Sequence, residues 1–225
     1  MLQALLLDLD GTLVDTPQAI VDVMQATLTA LGRAPAEPQA IRDTIGLPLP
    51  ESLALLLGIG VAEAGEAVQI YRELWHKHVT PRIAHLLYPG VREGIAEWRA
   101  LGLRLAVVTG KSQEGADGTV ALMGMTEQIE VVLGYTSVAR GKPAPDLALE
   151  ALKRLGVPAG DALMIGDSEL DVGMAVAAGV RTIAVTYGAQ PAGRLQGATW
   201  FAHSFAEVMR IVREEARLAA CPSPA

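Results

Sequence analysis

Residues 4–12 read ALLLDLDGT, and the reading of this stretch decides the fold. Four apolar residues run unbroken into two aspartates one residue apart, with a glycine behind them. A short, continuous apolar run predicts a strand buried on both faces, as in a parallel sheet. In an extended chain Asp8 and Asp10 point to the same side, their Cα atoms about 6.6 Å apart, with Leu9 opposite. Two carboxylates at the mouth of a buried strand repel each other and resist losing their water. Two readings are open: a solvated loop carrying two acids, or a site for a hard cation such as Mg2+. Such a cation relieves the repulsion and prefers carboxylate and backbone oxygens. Gly11 would let the chain turn sharply away from the sheet.

Beyond this strand, short apolar runs alternate with helix-like segments. Strands are predicted at 103–109 (LRLAVVT), 129–135 (IEVVLGY), 162–167 (ALMIGD) and 181–187 (RTIAVTY). Helices are predicted at 91–101, 113–123, 146–156, 169–179 and 204–218, the third opened by prolines and closed by glycine. This alternation predicts an α/β fold with a doubly wound, Rossmann-like parallel sheet. The first crossover is anomalous. It runs roughly 90 residues from Gly11 to Leu103, against about 30 for a whole βαβ unit. Helical periodicity continues through most of that interval, so an all-helical cap inserted after the aspartates fits better than a long loop. The expected organisation is a discontinuous core at 1–16 and 89–220, a helical cap domain at 17–88 and a C-terminal tail at 221–225.

With 225 residues, 51% of them hydrophobic, the chain can build one full core and a small extra domain. A net charge of −7 argues against nucleic acid or an anionic membrane surface as partner. The single cysteine, Cys221, leaves no disulfide framework and points to a reducing compartment. No positively charged segment precedes Asp8, unlike a secretory signal, and no apolar run approaches the roughly 20 residues of a membrane span. The expectation is a soluble cytoplasmic protein, a monomer or weak homodimer. His76 and His78 do not share a helix face as metal ligands would, and Trp98, Met123 and Met174 read as core.

In open parallel sheets ligands bind beyond the carboxyl ends of the strands, and three more motifs lie there or nearby. VVTGKS (107–112) has Leu105 where a phosphate-binding P-loop requires a glycine, which argues against a nucleotide site. What remains is a strand ending in Thr109, then Gly110, then Ser112 as a helix N-cap. The same hydroxyl and free backbone N–H groups also suit a phosphate oxygen. GKPAPD (141–146) opens a helix with ordinary capping chemistry and carries Lys142. IGDSELD (165–171) places Asp167 at a strand end and Asp171 one helical turn later, either as helix caps or as further carboxylates for a cation.

Together DLDGTLVDT, VVTGKS, GKPAPD and GDSELD resemble the four signature motifs of the haloacid dehalogenase superfamily, nearest to its phosphoglycolate phosphatase-like branch. The resemblance spans almost the whole chain, including a helical cap after the first motif. It implies that Asp8 is the nucleophile forming an aspartyl-phosphate. Asp10 would be the general acid, then the base that activates water. Asp8, the Asp10 carbonyl and Asp167 would hold Mg2+. Thr109 and the Gly110 N–H would grip the phosphate, and Lys142 would neutralise charge. Asp171 would orient Lys142 or hold a metal-bound water. The second motif often reads Thr-Asn in this branch, and Gly110 departs from it, removing a side chain near the substrate. Asp10 is present, whereas dehalogenases and phosphonate-cleaving members lack an acid there.

The resemblance thus implies a Mg2+-dependent phosphatase for a small phosphorylated metabolite such as phosphoglycolate. A phosphomutase of the β-phosphoglucomutase type, a pyrophosphatase and a catalytically silent binding module on the same fold are the alternatives. The core motifs recognise only the phosphoryl group, so discrimination falls to the cap. Its loop-like stretch IRDTIGLPLP (41–50) is expected to face the site, with Arg42 reaching a substrate carboxylate and Gly46 shaping the turn.

Overall fold

The computed structural model describes residues 1–220; Cys221 and the predicted tail lie outside the described residues. Strand β1 (Ala4–Leu7) is followed by α1 (Pro17–Ala30), α2 (Pro38–Arg42), α3 (Leu49–Leu57) and α4 (Gly65–His78). The chain then returns through α5 (Val91–Ala100) to β2 (Arg104–Thr109), α6 (Gln113–Met123) and β3 (Val131–Gly134). It continues as α7 (Asp146–Leu155), β4 (Ala162–Gly166), α8 (Glu169–Ala177), β5 (Arg181–Val185), β6 (Trp200–Ala202) and α9 (Phe205–Ala220). Among the described residues these strands form one six-stranded sheet, ordered β3-β2-β1-β4-β5-β6. Every pairing is parallel.

The run that opened the sequence explains the centre of this sheet. Ala4 to Leu7 are all fully buried because β1 is flanked by β2 and β4 and covered on both faces. Alternate side chains divide between two layers, as strand geometry requires. Leu5 and Leu7 join Leu105, Val107, Leu163 and Ile165 against residues of α5, α6 and α9, including Ile95, Trp98 and Phe205. Ala4 and Leu6 join Ala106, Val108 and Met164 against α7 and α8. Trp98, Met123 and Met174 are fully buried, as their apolar settings predict.

The interval between β1 and α5 is helical for most of its length, and its helices pack on one another chiefly through α1 and α4. Their apolar faces are continuous with the sheet's core: Ile20, Leu53 and Tyr71 belong to the same cluster as Leu5 and Leu7. The chain leaves and re-enters the sheet side by side, where Val14 bridges both Asp10 and Leu87. The Tyr88 hydroxyl donates to Asp15 at 3.2 Å, and the Tyr187 hydroxyl donates to the Thr12 carbonyl at 3.0 Å. This ties the two connecting segments to the loop after β5. Asp8 and Asp10 therefore lie beyond the carboxyl end of the central strand, beneath the inserted helices. No helix among the described residues is long and apolar enough to cross a membrane.

Candidate active site

Asp8 follows β1 directly, and its backbone N–H continues the ladder to the Ile165 carbonyl at 3.0 Å. The chain then reverses tightly, with the N–H groups of Thr12, Leu13 and Val14 all donating to the Leu9 carbonyl. Gly11 sits at the reversal with φ +78, and a Cβ there would overlap the Asp167 carboxylate. Glycine is required for both reasons: the left-handed backbone and the close approach of an acid.

Behind Asp8 lies a buried charge cluster. The Lys142 ammonium donates to Asp8 Oδ1 at 2.7 Å and to Asp171 Oδ1 at 2.5 Å. Asp171 Oδ2 accepts the Ser168 hydroxyl at 2.6 Å and the Ser168 N–H at 3.1 Å. It thereby closes a capping box at the start of α8. Both Asp171 oxygens are thus engaged, and they aim Lys142 at Asp8. Asp167 Oδ2 accepts the Ala189 N–H at 2.6 Å, while Oδ1 takes the Thr12 hydroxyl at 3.3 Å. No cation among the described residues lies within salt-bridge distance of Asp167.

The electrostatics follow from that arrangement. Burial pushes the Asp8 carboxyl up to about 7, opposed by Lys142 and reinforced by Asp171 and Asp10. Burial, then the charges of Asp8 and Asp171, push Asp167 well above the usual carboxylate range. Burial works against the Lys142 ammonium, yet Asp171 and Asp8 outweigh it and hold its pKa above the ordinary lysine value. The cluster is short of positive charge. Asp8, Asp167 and Asp171 each offer a buried oxygen within 4.8 Å of the others. This all-oxygen donor set and its charge deficit fit a divalent hard cation such as Mg2+.

In front of Asp8 a cavity of about 450 Å³ opens between the sheet edge and the inserted helices. Asp8, Asp10, Thr109 and Gly110 line its floor, and Gly46, Leu47 and Trp75 contribute to its opposite side. Thr109 ends β2, nearly inaccessible, and accepts the Lys111 N–H at its hydroxyl. Ser112 caps α6, as expected, by accepting the Gly115 N–H. Asp10 accepts the Thr16 hydroxyl at 2.7 Å on one oxygen and meets Lys111 Nζ at 2.7 Å on the other.

The structure thus brings together Asp8, Asp10, Thr109, Gly110, Lys142, Asp167 and Asp171. Gly46 also reaches the site, with φ +103 and its carbonyl oxygen where a Cβ of Gly110 would stand. Gly110 lacks a side chain because the turn of the insertion occupies that space. The expectation for Arg42 needs correction. It ends α2 and donates to Gln18 Oε1 on α1 at 2.5 Å, and it does not line the cavity. A short helix directs this side chain along the insertion's surface. Sequence reasoning missed Lys111 and Trp75. The only signal for Lys111 was its place beside Gly110, set aside with the failed P-loop, and nothing local linked it to Trp75.

The chain belongs to the haloacid dehalogenase-like hydrolase family, whose model matches residues 5–185. It is 36% identical over 219 residues to the probable phosphatase IndB of Dickeya dadantii, covering 96% of this chain and 95% of that one. A phosphoglycolate phosphatase of Rhodobacter capsulatus is 34% identical over 220 residues, covering 94% and 97%. Among solved structures, CbbY from Rhodobacter sphaeroides in complex with phosphate matches with a TM-score of 0.77 at 28% identity. That match covers 92% of this chain and 96% of CbbY.

Proposed function

We propose that this hydrolase is a Mg2+-dependent phosphatase of small phosphate monoesters, with phosphoglycolate among its candidate substrates. The observation that carries the proposal is the pair Asp8 and Asp10 facing one cavity, with Lys142 fixed behind Asp8 at 2.7 Å. Relatives named as phosphatases at 34–36% identity support it.

A phosphoryl group entering the cavity meets Asp8 at the floor, with the Thr109 hydroxyl and the Gly110 N–H as donors to its oxygens. The Asp8 carboxylate attacks phosphorus, the P–O bond to the leaving group breaks, and Asp10 gives its proton to the departing oxygen. Asp10, now a carboxylate, takes a proton from water. The resulting hydroxide cleaves the aspartyl-phosphate and frees inorganic phosphate. Lys142 offsets charge on Asp8 throughout, and Asp171 holds it in place. Asp8, Asp167 and the Asp10 carbonyl would hold Mg2+, which supplies the positive charge that a phosphate dianion requires beside these acids.

Phosphate release from a panel of monoesters, with Mg2+ and with a chelator, tests the proposal. Wild-type protein is expected to turn over at least one ester only with the metal, and Asp8→Asn none. Turnover after exhaustive chelation, or by Asp8→Asn, would overturn the metal requirement or the nucleophile.

A further inference from the structure

Lys111 has a geometry that none of the roles above uses. Its backbone is fixed on both sides: the N–H donates to Thr109 Oγ1 at 3.3 Å, and the carbonyl accepts the Tyr135 N–H at 2.8 Å. Its side chain then crosses from the sheet edge to the insertion. The ammonium sits 4.6 Å from the centre of the Trp75 ring on α4 and 2.7 Å from Asp10 Oδ2. Trp75 is in turn stacked on Tyr71, ring centres 5.8 Å apart, and Tyr71 is buried. The lysine is thus held at both ends, with 16% of its side chain exposed.

We infer that Lys111 selects the substrate by meeting a second negative charge on the leaving group. The inference rests on the phosphatase reading and deepens it. If the phosphoryl group lies at Asp8, the oxygen that departs must lie at Asp10, the acid that protonates it. Whatever that oxygen carries then extends past Asp10, where Lys111 Nζ stands. An ammonium has three N–H donors. Asp10 takes one and the Trp75 face attracts the cation without accepting a conventional hydrogen bond, so donor capacity remains for a ligand. The other charged groups around the cavity are less suited. Arg72, Glu73 and His76 are exposed on α4, Glu114 is exposed on α6, and His76 is paired with Thr80. A cavity of about 450 Å³ suits a small ligand. The recognised group is a carboxylate or a second phosphate a few bonds from the ester oxygen.

The test compares 2-phosphoglycolate, ethylene glycol bisphosphate and 2-hydroxyethyl phosphate, whose leaving group carries no charge, with wild type, Lys111→Met, Lys111→Arg and Trp75→Leu. Wild type is expected to favour at least one doubly charged ester, and which one distinguishes carboxylate from phosphate. Lys111→Met should lower kcat/KM for that ester about 10- to 100-fold more than for the hydroxyethyl ester, mainly through KM. That is the factor a charge-assisted hydrogen bond supplies. Lys111→Arg should restore much of the difference, and Trp75→Leu should reproduce part of it while leaving the charge present. An equal loss on all three esters, or no recovery with arginine, would mean that Lys111 only braces Asp10 and would overturn the inference alone. Wild-type protein releasing phosphate from other monoesters but from neither ester with a charged leaving group overturns the inference alone. Release from no monoester at all overturns the phosphatase reading and the inference with it.

Discussion

Replacing Gly110 with alanine probes the contact between the sheet edge and the inserted helices with a single methyl group. The backbone of Gly110 is outside the left-handed region, so alanine is conformationally acceptable there. Space is the only obstacle. A Cβ would overlap the Gly46 carbonyl oxygen, lie 2.9 Å from the Gly46 carbonyl carbon and 3.2 Å from the Leu47 carbonyl oxygen. These are backbone atoms, which cannot rotate aside as a flexible side chain would. Overpacking of this kind costs typically about 1–3 kcal/mol. The cost falls on the arrangement in which the 44–47 turn rests on Gly110, and lifting the turn relieves it. The ratio of seated to lifted turn should therefore fall about 5- to 150-fold, with kcat/KM falling by at most that factor while the melting temperature changes little. Steady-state kinetics on the best monoester substrate, paired with a crystal structure of the variant, provide the assay. Gly110→Asn, bulkier at the same point, should lose more. An alanine variant with wild-type kcat/KM and its Gly46 carbonyl unmoved would refute the reasoning.

Two further outcomes follow from the charges around Asp8 and Asp10. Without divalent ions, Asp8 keeps a proton in the folded state up to about 7, whereas its ordinary value is 3.8. Between those values the unfolded chain has released a proton that the folded one retains, so stability falls as pH rises through that window. Asp8→Asn escapes the penalty, and its melting-temperature advantage over wild type in chelator should grow from about pH 4 to about pH 7. Added Mg2+ should stabilise wild type by binding the folded state and so narrow the gap; parallel pH curves for the two proteins would contradict the assigned cause. Asp10→Asn should slow alkyl phosphates about 10²- to 10⁴-fold but aryl phosphates with good leaving groups much less. Equal losses would remove Asp10 from proton transfer.

The sheet was legible because its strands are buried on both faces. ALLL, LAVV and ALMIG carry continuous apolar runs, and the structure gives β1, β2 and β4 within a residue or so of the expected ends. Helix α6 was equally legible at its start, where Ser112 caps it as read; the structure closes it with Gly124 in the left-handed conformation. Strand β6 was not. It is three residues at the sheet edge, Trp200 half-buried and Phe201 exposed, so burial leaves no pattern to read. The four motifs located the charged cluster because each follows a strand or opens a helix, positions that sequence marks well. Arg42 was misread for the opposite reason. Its neighbours Gly46 and Pro48 announce a turn, but nothing local reveals that its guanidinium turns toward Gln18.

The dipeptide Gly110-Lys111 shows why the second motif carries more than its resemblance to phosphate loops suggests. Its first residue is defined by what it lacks, because the Gly46 carbonyl occupies the position of a side chain. Its second extends to Trp75 and Asp10 at once. Adjacent residues at the end of one strand therefore touch the insertion at two separate places, the 44–47 turn and α4. A substrate that draws Lys111 toward its leaving group would act on α4, while the phosphoryl group at Thr109 lies beside the turn that packs on Gly110. If both proposals hold, recognition of the two ends of a substrate would be joined to the seating of the inserted helices through two consecutive residues. Because the two contacts involve neighbouring residues, Gly110→Ala and Lys111→Met should not combine independently. Their joint effect on kcat/KM for a doubly charged ester should be smaller than the product of the single effects, since once the turn is lifted Lys111 has less to hold. A double variant showing the full product would mean that turn and helix move separately.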